Sequence, residues 1–361
     1  MAVGVIIGPF YDAGYCHILI GTGTMLVVLG FMFTSLGTEY WHILLSQGVC
    51  IGLGTCCLSI PSIAIVPMYF TRRRASAMAM ATVGSGLGAT LYPLIFENAK
   101  QRVGFGWAVR IMGFIALVTC TFAFLTIRPK TRRRSDNKIF QLRFFIDTTA
   151  FKEPTFLIYC VAIFFNNLVF FNSSYYIQSY ALKHGMQYAH LVPYLVPILN
   201  ACTIPGRIIP SYIADRVGVL DTFIVVCGLC SASIFYWISV TNEQGNIAFA
   251  VIYGFFSGSV VSLAQVVLTG ITPDLRRLGT RIGMVSILKG IGSLVGPPIS
   301  GAILNATGNF LGIQLFSGLG MMLAATFSFV LRLVIVQRSR QAARRREDDE
   351  DDDISKDGIQ L

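Results

Sequence analysis

Long apolar runs separated by short polar segments make up most of the chain. A helix that crosses a membrane needs about 20 apolar residues. Runs of that length cover about 17–36, 42–69, 76–96, 106–127, 155–180, 191–213, 219–240, 247–270, 282–304 and 311–335. Residues 1–10 are also apolar but too short to cross, so we expect them to be part of a further span. The pattern predicts an all-α polytopic membrane protein with about eleven spans.

Composition supports a membrane protein over a soluble one. Hydrophobic residues make up 54% of the chain and charged residues 13%, with a mean hydropathy of +0.66. A soluble domain carries about 25% charged residues. This chain has too few to cover a water-facing surface. Most of its Lys and Arg fall in segments that one topology places on a single side. The positive-inside rule makes that side cytoplasmic. We therefore expect a multi-pass plasma-membrane protein with a cytoplasmic C-terminus, and the net charge of +10 does not indicate nucleic-acid binding.

The charged segments divide the chain into four parts. Residues 1–127 form an incomplete N-terminal bundle of spans, and residues 128–153 form a basic cytoplasmic linker. Residues 154–337 form a C-terminal bundle of six helices. Residues 338–361 carry a basic stretch and then an acidic run, which is typical of a disordered, solvated tail.

The two bundles repeat each other at an offset of 204 residues. A basic cluster opens a glycine-rich span with an internal proline in each half. Matching pairs are Arg72 and Arg276, Arg73 and Arg277, Met80 and Met284, Gly86 and Gly290, Gly88 and Gly292, and Pro93 and Pro297. Asp12 and Asp215 match at an offset of 203. Many transporters are built from such repeats and hold their substrate between the halves. The first half lacks a counterpart of residues 154–180.

A polar stripe interrupts the apolar run that begins at residue 191. Asn200, Thr203, Arg207 and Ser211 follow at helical steps of three, four and four residues. An arginine at membrane depth costs at least a few kcal/mol, so it usually faces a cavity or a partner. We interpret Arg207 as the substrate-facing charge of a transporter. The alternative is a structural role, in which backbone carbonyls accept the hydrogen bonds of the Arg207 guanidinium.

Other polar residues fall at similar depth. Lys289 lies eight residues after Arg281, roughly 12 Å from the cytoplasmic edge at 1.5 Å per residue. Asn166 and Asn167 lie somewhat further out. The predicted spans contain no Asp or Glu, so these cations need an anion, and a carboxylate substrate would supply one. In the alternative, Lys289 extends towards the cytoplasm and the asparagines form hydrogen bonds between helices.

Three further stretches are characteristic: Gly8-Pro-Phe-Tyr-Asp-Ala-Gly14, Tyr69-Phe-Thr-Arg-Arg-Arg74 and the segment from Gly279 to Gly301. They resemble the major facilitator superfamily, and more narrowly its fungal monocarboxylate-transporter-like family. The resemblance implies two six-helix bundles, with the first span missing here and the second partial, and secondary transport by alternating access. It also implies that Arg207 binds a carboxylate.

The superfamily's loop signature, Gly-x-x-x-Asp-Arg-x-Gly, is only partly kept. Asp215, Arg216 and Gly218 match it, but Ser211 replaces the leading glycine. The first-half copy keeps Gly8, Asp12 and Gly14 without the arginine. We expect both loops to act as gates. Animal members of the family carry an aspartate where this chain has Thr203, so these residues give proton coupling no support, although a proton is a second candidate partner.

The sequence contains no motif typical of an enzyme or of a cofactor-binding site. Cys227 and Cys230 have the spacing of a redox or metal pair but sit among apolar residues, where packing is the better interpretation. The four histidines lie near span ends without a His-Glu-x-x-His motif. We expect no metal or cofactor, and a monomer in membrane lipid. Asn305-Ala-Thr307 is a glycosylation sequon in an outer loop.

The leading hypothesis is a secondary transporter of small, monocarboxylate-like organic anions. One alternative is export of a secondary metabolite, or import of a vitamin-like solute. The other is a non-transporting membrane protein or a truncated, inactive product, because the first span is absent from the sequence.

Overall fold

The computed structural model describes residues 3–128, 147–183 and 189–357, except the side chains of 189–190 and 342–357. Its regular structure over these ranges is helical. The principal helices are α1 (Gly4–Asp12), α2 (Cys16–Leu36), α3 (Tyr40–Tyr69), α4 (Arg74–Thr126), α5 (Pro154–Phe170), α6 (Asn172–Lys183), α7 (Leu195–Val217), α8 (Val219–Ile238), α9 (Glu243–Gly270), α10 (Leu278–Thr307) and α11 (Leu311–Asp357). This confirms the all-α polytopic fold.

Helix α4 is a pair of spans joined by a kink. It is 53 residues long, about twice what one crossing needs, and bends at Gly104, whose φ is 81°. Nine helical segments in the described ranges are long and apolar enough to cross a membrane, and the two arms of α4 raise the number of crossings to ten. The predicted outer connection between the two spans is helical up to the kink. Its residues Glu97–Arg102 include Glu, Ala, Lys, Gln and Arg, which are all good helix formers.

The predicted span at 155–180 is broken near its middle. Helix α5 ends at Phe170 and α6 begins at Asn172, which is completely buried. The Tyr253 hydroxyl donates to the carbonyl of Phe170 at 2.7 Å, and Asn172 Nδ2 donates to Ser317 Oγ at 3.2 Å. Neighbouring helices therefore satisfy polar groups that the break exposes in the apolar interior.

The two halves meet along two pairs of helices. In the first half, α2 packs on α3 and α4; in the second, α5 packs on α10 and α11, and α9 packs on α7 and α8. Between the halves, α7 packs along α4 and α1 packs along α10. We call the end of the molecule that carries Arg72–Arg74, Arg216 and Arg276–Arg277 the basic end.

Two of the predicted charged segments extend beyond the described residues. Residues 129–146 of the predicted linker lie outside them, whereas its last part, from Asp147, is seen docked at the basic end. Helix α11 runs on to Asp357, so the tail predicted to be disordered is helical up to that residue. Its first part, residues 338–347, contains five arginines, two alanines, a glutamine and a glutamate, which are good helix formers.

Candidate functional site at the interface of the two halves

Helix α7 lies antiparallel to the first arm of α4. Its polar stripe faces that arm, and successive contacts run in opposite directions along the two helices. From the basic end they are Asp215 with Ala75 and Ser76, Arg207 with Thr82 and Ser85, Thr203 with Gly86, and Asn200 with Ala89. The stripe is thus a contact between the halves in this conformation. Ser211, its fourth member, turns instead to Ser262 within the second half, at 3.2 Å.

Arg207 joins the halves at the centre of this contact. Its side chain is buried, with 7% of its surface exposed. Nη1 donates to the carbonyl of Thr82 and to Ser85 Oγ, and the buried Nε has no partner within the described residues. No carboxylate pairs with Arg207 in the described part of the chain. The guanidinium is therefore held by neutral acceptors of the opposite half and keeps one buried N–H group to spare.

Glycines hold α7 against α9 and so turn the face with Arg207 towards α4. A Cβ atom on Gly206 would lie 2.0 Å from the carbonyl oxygen of Phe255, and one on Gly258 would lie 2.4 Å from that of Thr203. Gly254 has an equally close neighbour in Leu199, at 2.3 Å. Only glycine permits these close approaches between helices.

The two signature aspartates cap helices of the opposite half. Asp215 accepts the backbone N–H groups of Ala75 and Ser76, each at 2.9 Å, and the Ser76 hydroxyl at 2.5 Å. Asp12 accepts those of Gly279 and Thr280 at 2.9 and 2.7 Å, and the Thr280 hydroxyl at 2.6 Å. A carboxylate at a helix N-terminus satisfies free N–H groups and favours the helix dipole. The caps are related by the sequence repeat and tie the basic ends of the halves together.

The glycines of both signatures allow the chain to turn beside these caps. Gly14 has a φ of 91° and Gly218 a φ of 129°, which residues with a Cβ rarely adopt. Arg216 does not pair with a carboxylate within the described residues. It donates to the Tyr212 hydroxyl, and its guanidinium carbon lies over the Tyr212 ring, 4.7 Å from the ring centroid.

Lys289 occupies the second-half position equivalent to Ser85. The same offset of 204 relates Ser286 to Thr82, so the two acceptors of Arg207 correspond to Ser286 and Lys289 in α10. Lys289 is half-buried and makes no hydrogen bond or ion pair within the described residues. The repeat thus places a free cation where the first half has an acceptor for Arg207.

The predicted asparagine ligands lie mostly against their own helices or bundle. Asn166, 5% exposed, points its Nδ2 at Met321 Sδ, 3.5 Å away in α11. Asn167 Nδ2 donates to the carbonyl of Ile163 at 2.9 Å. Asn200 reaches across the halves to Ala89, at 3.3 Å. Thr203 donates to the carbonyl of Asn200 at 2.7 Å. Only Asn200 and Thr203 join Arg207 at the interface, and the substrate roles of all these residues stay predictions.

A small cavity between the halves contains a polar residue that sequence analysis missed. Its volume is about 30 Å³, enough for a water molecule. Its lining comes from α3, α4 and α9: Ser62, Ile63, Val66, Met78, Ala81, Thr82 and Gln265. The Gln265 Oε1 atom is buried without a partner within the described residues. Thr82 also accepts from Arg207, so the cavity adjoins the arginine contact.

A charged cluster fastens the end of the linker to α10. Arg281 binds Glu153 through two hydrogen bonds, at 2.7 and 2.9 Å, and its Nε donates to Asp147 at 3.1 Å. Arg277 adds a further contact to Asp147 at 3.1 Å. Burial by itself would raise the pKa of Asp147, but hydrogen bonds from Thr149 and Arg281 and the charges of both arginines hold that pKa below its usual value. From the sequence, Arg277 was expected to belong to the repeated basic cluster and Arg281 to mark the cytoplasmic edge, and neither was expected to bind the linker.

Two further predictions concern features away from the interface. Asn305 is exposed in the last turn of α10, and its glycosylation stays a prediction. Among the described residues no group of three or more His, Cys, Asp or Glu side chains is arranged to hold a metal ion.

The chain is similar to known transporters in sequence and in fold. The Major Facilitator Superfamily profile matches residues 1–248. MFS-type transporter dbaD of Emericella nidulans is 32% identical over 326 residues, covering 90% of this chain and 72% of dbaD. The aspyridones efflux protein apdF of the same species is 34% identical over 335 residues, covering 92% of this chain and 66% of apdF.

The fold comparison agrees with the sequence comparison. The E. coli fucose:proton symporter FucP superimposes with a TM-score of 0.72 at 15% identity, covering 91% of this chain and 87% of that structure. Two related bundles of apolar helices with facing polar surfaces define a polytopic transporter. The chain belongs to the major facilitator superfamily. The narrower monocarboxylate-transporter-like assignment is not shown, since the relatives compared are named as MFS-type or efflux proteins.

Proposed function

We propose that this chain is a secondary transporter that exports an organic molecule bearing an acidic group, by alternating access between its two halves. The observation that carries the proposal is Arg207. It is a buried cation at the interface of the halves, with neutral acceptors and no carboxylate partner within the described residues. Lys289, at the repeat position equivalent to Ser85, makes no hydrogen bond or ion pair within the described residues.

The direction of transport rests on the relatives. One of them is named as an efflux protein for aspyridones. Export of a secondary metabolite therefore replaces transport of a small, monocarboxylate-like anion as our first choice. The acidic group remains in the proposal because a guanidinium binds a carboxylate or an acidic enol through paired, charge-assisted hydrogen bonds.

The basic end is assigned to the cytoplasm by the positive-inside rule. Both aspartate caps are made in this conformation, so the cytoplasmic ends of the halves are together. Opening towards the cytoplasm must break the caps and separate α7 from α4. The Arg207 guanidinium then loses its hydrogen bonds to Thr82 and Ser85, and its N–H groups become available to a substrate that enters from the cytoplasm.

Substrate and interface thus compete for the same guanidinium. A ligand shifts a conformational equilibrium only by its difference in affinity for the two states. The acidic substrate would favour the open state, where Arg207 is available, and its release outside would let Arg207 bind Thr82 and Ser85 again. This exchange gives Arg207 a part in the cycle beyond simple attraction of an anion.

The test is transport into inside-out vesicles from cells that express the chain. A panel of labelled organic acids, including short monocarboxylates and larger acidic secondary metabolites, is compared with neutral ester analogues. We expect Arg207→Ala to lower uptake of the transported acid by about tenfold or more, since hydrogen bonds to charged groups contribute about 1.5–3 kcal/mol. The matched control is Arg332→Ala, because Arg332 is 45% exposed and pairs with Asp221 at the surface.

Equal transport by Arg207→Ala and wild type would disprove the assigned role. Equal transport of an acid and its ester would disprove recognition of the acidic group. Uptake confined to short monocarboxylates would favour the small-anion hypothesis over metabolite export.

A further inference from the structure

The basic end contains an open cavity whose lining does not include Arg207. Its volume is about 220 Å³. The lining residues are Arg72, Arg73, Tyr212, Asp215 and Arg216. The first two arginines belong to the first half, in the segment between α3 and α4, while Arg216 lies at the end of α7 in the second half. The cavity therefore spans the junction between the halves.

The three arginines have no carboxylate partner within the described residues. Asp215 is the acidic group of the lining, and its two oxygens already accept three hydrogen bonds from Ala75 and Ser76. Arg216 is held in place by stacking on Tyr212. Three cations against one committed carboxylate leave two positive charges without compensation. Planar guanidinium groups from different directions suit a tetrahedral, doubly charged oxyanion.

The surroundings of the cavity favour a ligand from the membrane surface. Tyr69 and Phe70 are each 52% exposed beside Arg72, and Tyr212 is 48% exposed. Aromatic side chains are enriched at the level of lipid headgroups. Basic pockets at the cytoplasmic ends of membrane helices bind phosphorylated headgroups.

We propose that this cavity binds a phosphate group between the two halves and thereby stabilises the conformation in which their basic ends are joined. Arg72 and Arg73 would hold the phosphate from the first half and Arg216 from the second. Separation of the halves would pull these ligands apart, so the affinity for phosphate is higher in the joined state. By linkage, the bound phosphate opposes opening at this end. The phosphate belongs to an anionic lipid or to a soluble ion, and the experiment separates these sources.

The experiment measures hydrogen–deuterium exchange of the whole chain in nanodiscs. One set contains phosphatidylcholine alone, a second adds phosphatidylinositol phosphate, and a third adds inorganic phosphate to phosphatidylcholine discs. We expect an effective ligand to slow exchange in residues 71–78 and 212–218 by about fivefold or more, the lower range of allosteric coupling. Slowing by lipid alone identifies a headgroup, and slowing by inorganic phosphate identifies a soluble ligand.

Matched variants make the result specific. Arg216→Gln removes the second-half ligand, and Arg73→Gln removes one from the first half, so a folding defect in one does not decide the outcome. Arg276→Gln makes the same charge change at the repeat-related position of Arg72, outside the cavity. We expect the first two variants to lose the slowing and Arg276→Gln to keep it. No slowing by either ligand, slowing retained in both cavity variants, or equal loss in Arg276→Gln would overturn the proposal.

Discussion

Removing the charge of Asp215 tests whether the aspartate caps hold the basic ends together. In Asp215→Asn, one oxygen remains to accept from Ala75, but the other becomes an amide NH₂ group. The backbone N–H of Ser76, 2.9 Å from that group, then loses its acceptor, and the Ser76 hydroxyl, 2.5 Å away, can no longer donate to a carboxylate and must turn to accept from the amide. The change is nearly isosteric, so it alters charge and hydrogen bonding with little effect on packing.

The size of the effect follows from these contacts. A hydrogen bond to a charged group contributes about 1.5–3 kcal/mol, and an anion at a helix N-terminus a further 0.3–1 kcal/mol or so. Asp215 is only half-buried, and in the open state water replaces some of what is lost. We therefore expect the joined state to lose about 2–4 kcal/mol. At about 1.4 kcal/mol per factor of ten, the equilibrium shifts towards the open state by roughly 30- to 700-fold.

The assay is hydrogen–deuterium exchange at the wall of the cavity between the halves. Peptides covering residues 62–66 of α3 and 78–82 of α4 line this cavity and become accessible on opening. Where exchange requires opening, its rate is proportional to the open population, so it reports the shift directly. Peptides covering residues 246–257 of α9, many of which are buried in the second half and none of which lines the cavity, report general loss of stability instead.

Asp221→Asn is the matched control, because Asp221 pairs with Arg332 at the surface of the same end and is 37% exposed. Exposed pairs of this kind contribute about 0–1 kcal/mol, so little change is expected. The reasoning fails if Asp215→Asn exchanges at the wild-type rate in α3 and α4. It fails equally if α9 accelerates to the same degree, since the cap would then stabilise the fold and not the joined state.

Two other features of the structure lead to further expectations. Asp147→Asn should free the end of the linker and speed tryptic cleavage after Lys152, and unchanged cleavage would show that the charged cluster does not hold it. Because the pKa of the Asp147 carboxyl is lowered in the folded protein, its contribution to holding the linker is complete above the usual aspartate pKa. That contribution is lost only as the pH falls through the lowered pKa. Cleavage of the wild-type chain by a protease active over that range should therefore not change between about pH 8 and 5. Gly296→Ala would place a Cβ 1.7 Å from the carbonyl oxygen of Leu168. In a thermal melting experiment it should lower the free energy of unfolding by about 1–3 kcal/mol or more. Gly84→Ala, with no atom within 4 Å of its Cβ, should be neutral or stabilising in the same melting experiment.

The sequence alone was enough to predict the spans and the repeat. A membrane interior demands about 20 apolar residues per crossing and leaves the charges outside, so the run lengths and the arginine positions are direct records of topology. The match of Asp12 with Asp215 anticipated a symmetric pair of loops. It did not reveal that each carboxylate caps a helix of the other half, because a repeat relates equivalent positions and says nothing about which half a side chain faces.

Tertiary structure decided what the polar residues contact. The stripe of Asn200, Thr203 and Arg207 was visible as a helical spacing, but a cavity and a neighbouring helix require the same spacing. The glycines of α7 and α9 set the rotation of α7, and that rotation brought Arg207 to Thr82 and Ser85. Partner choice depends on which helices approach within hydrogen-bonding distance, and these approaches join residues more than a hundred positions apart, beyond the reach of any local pattern.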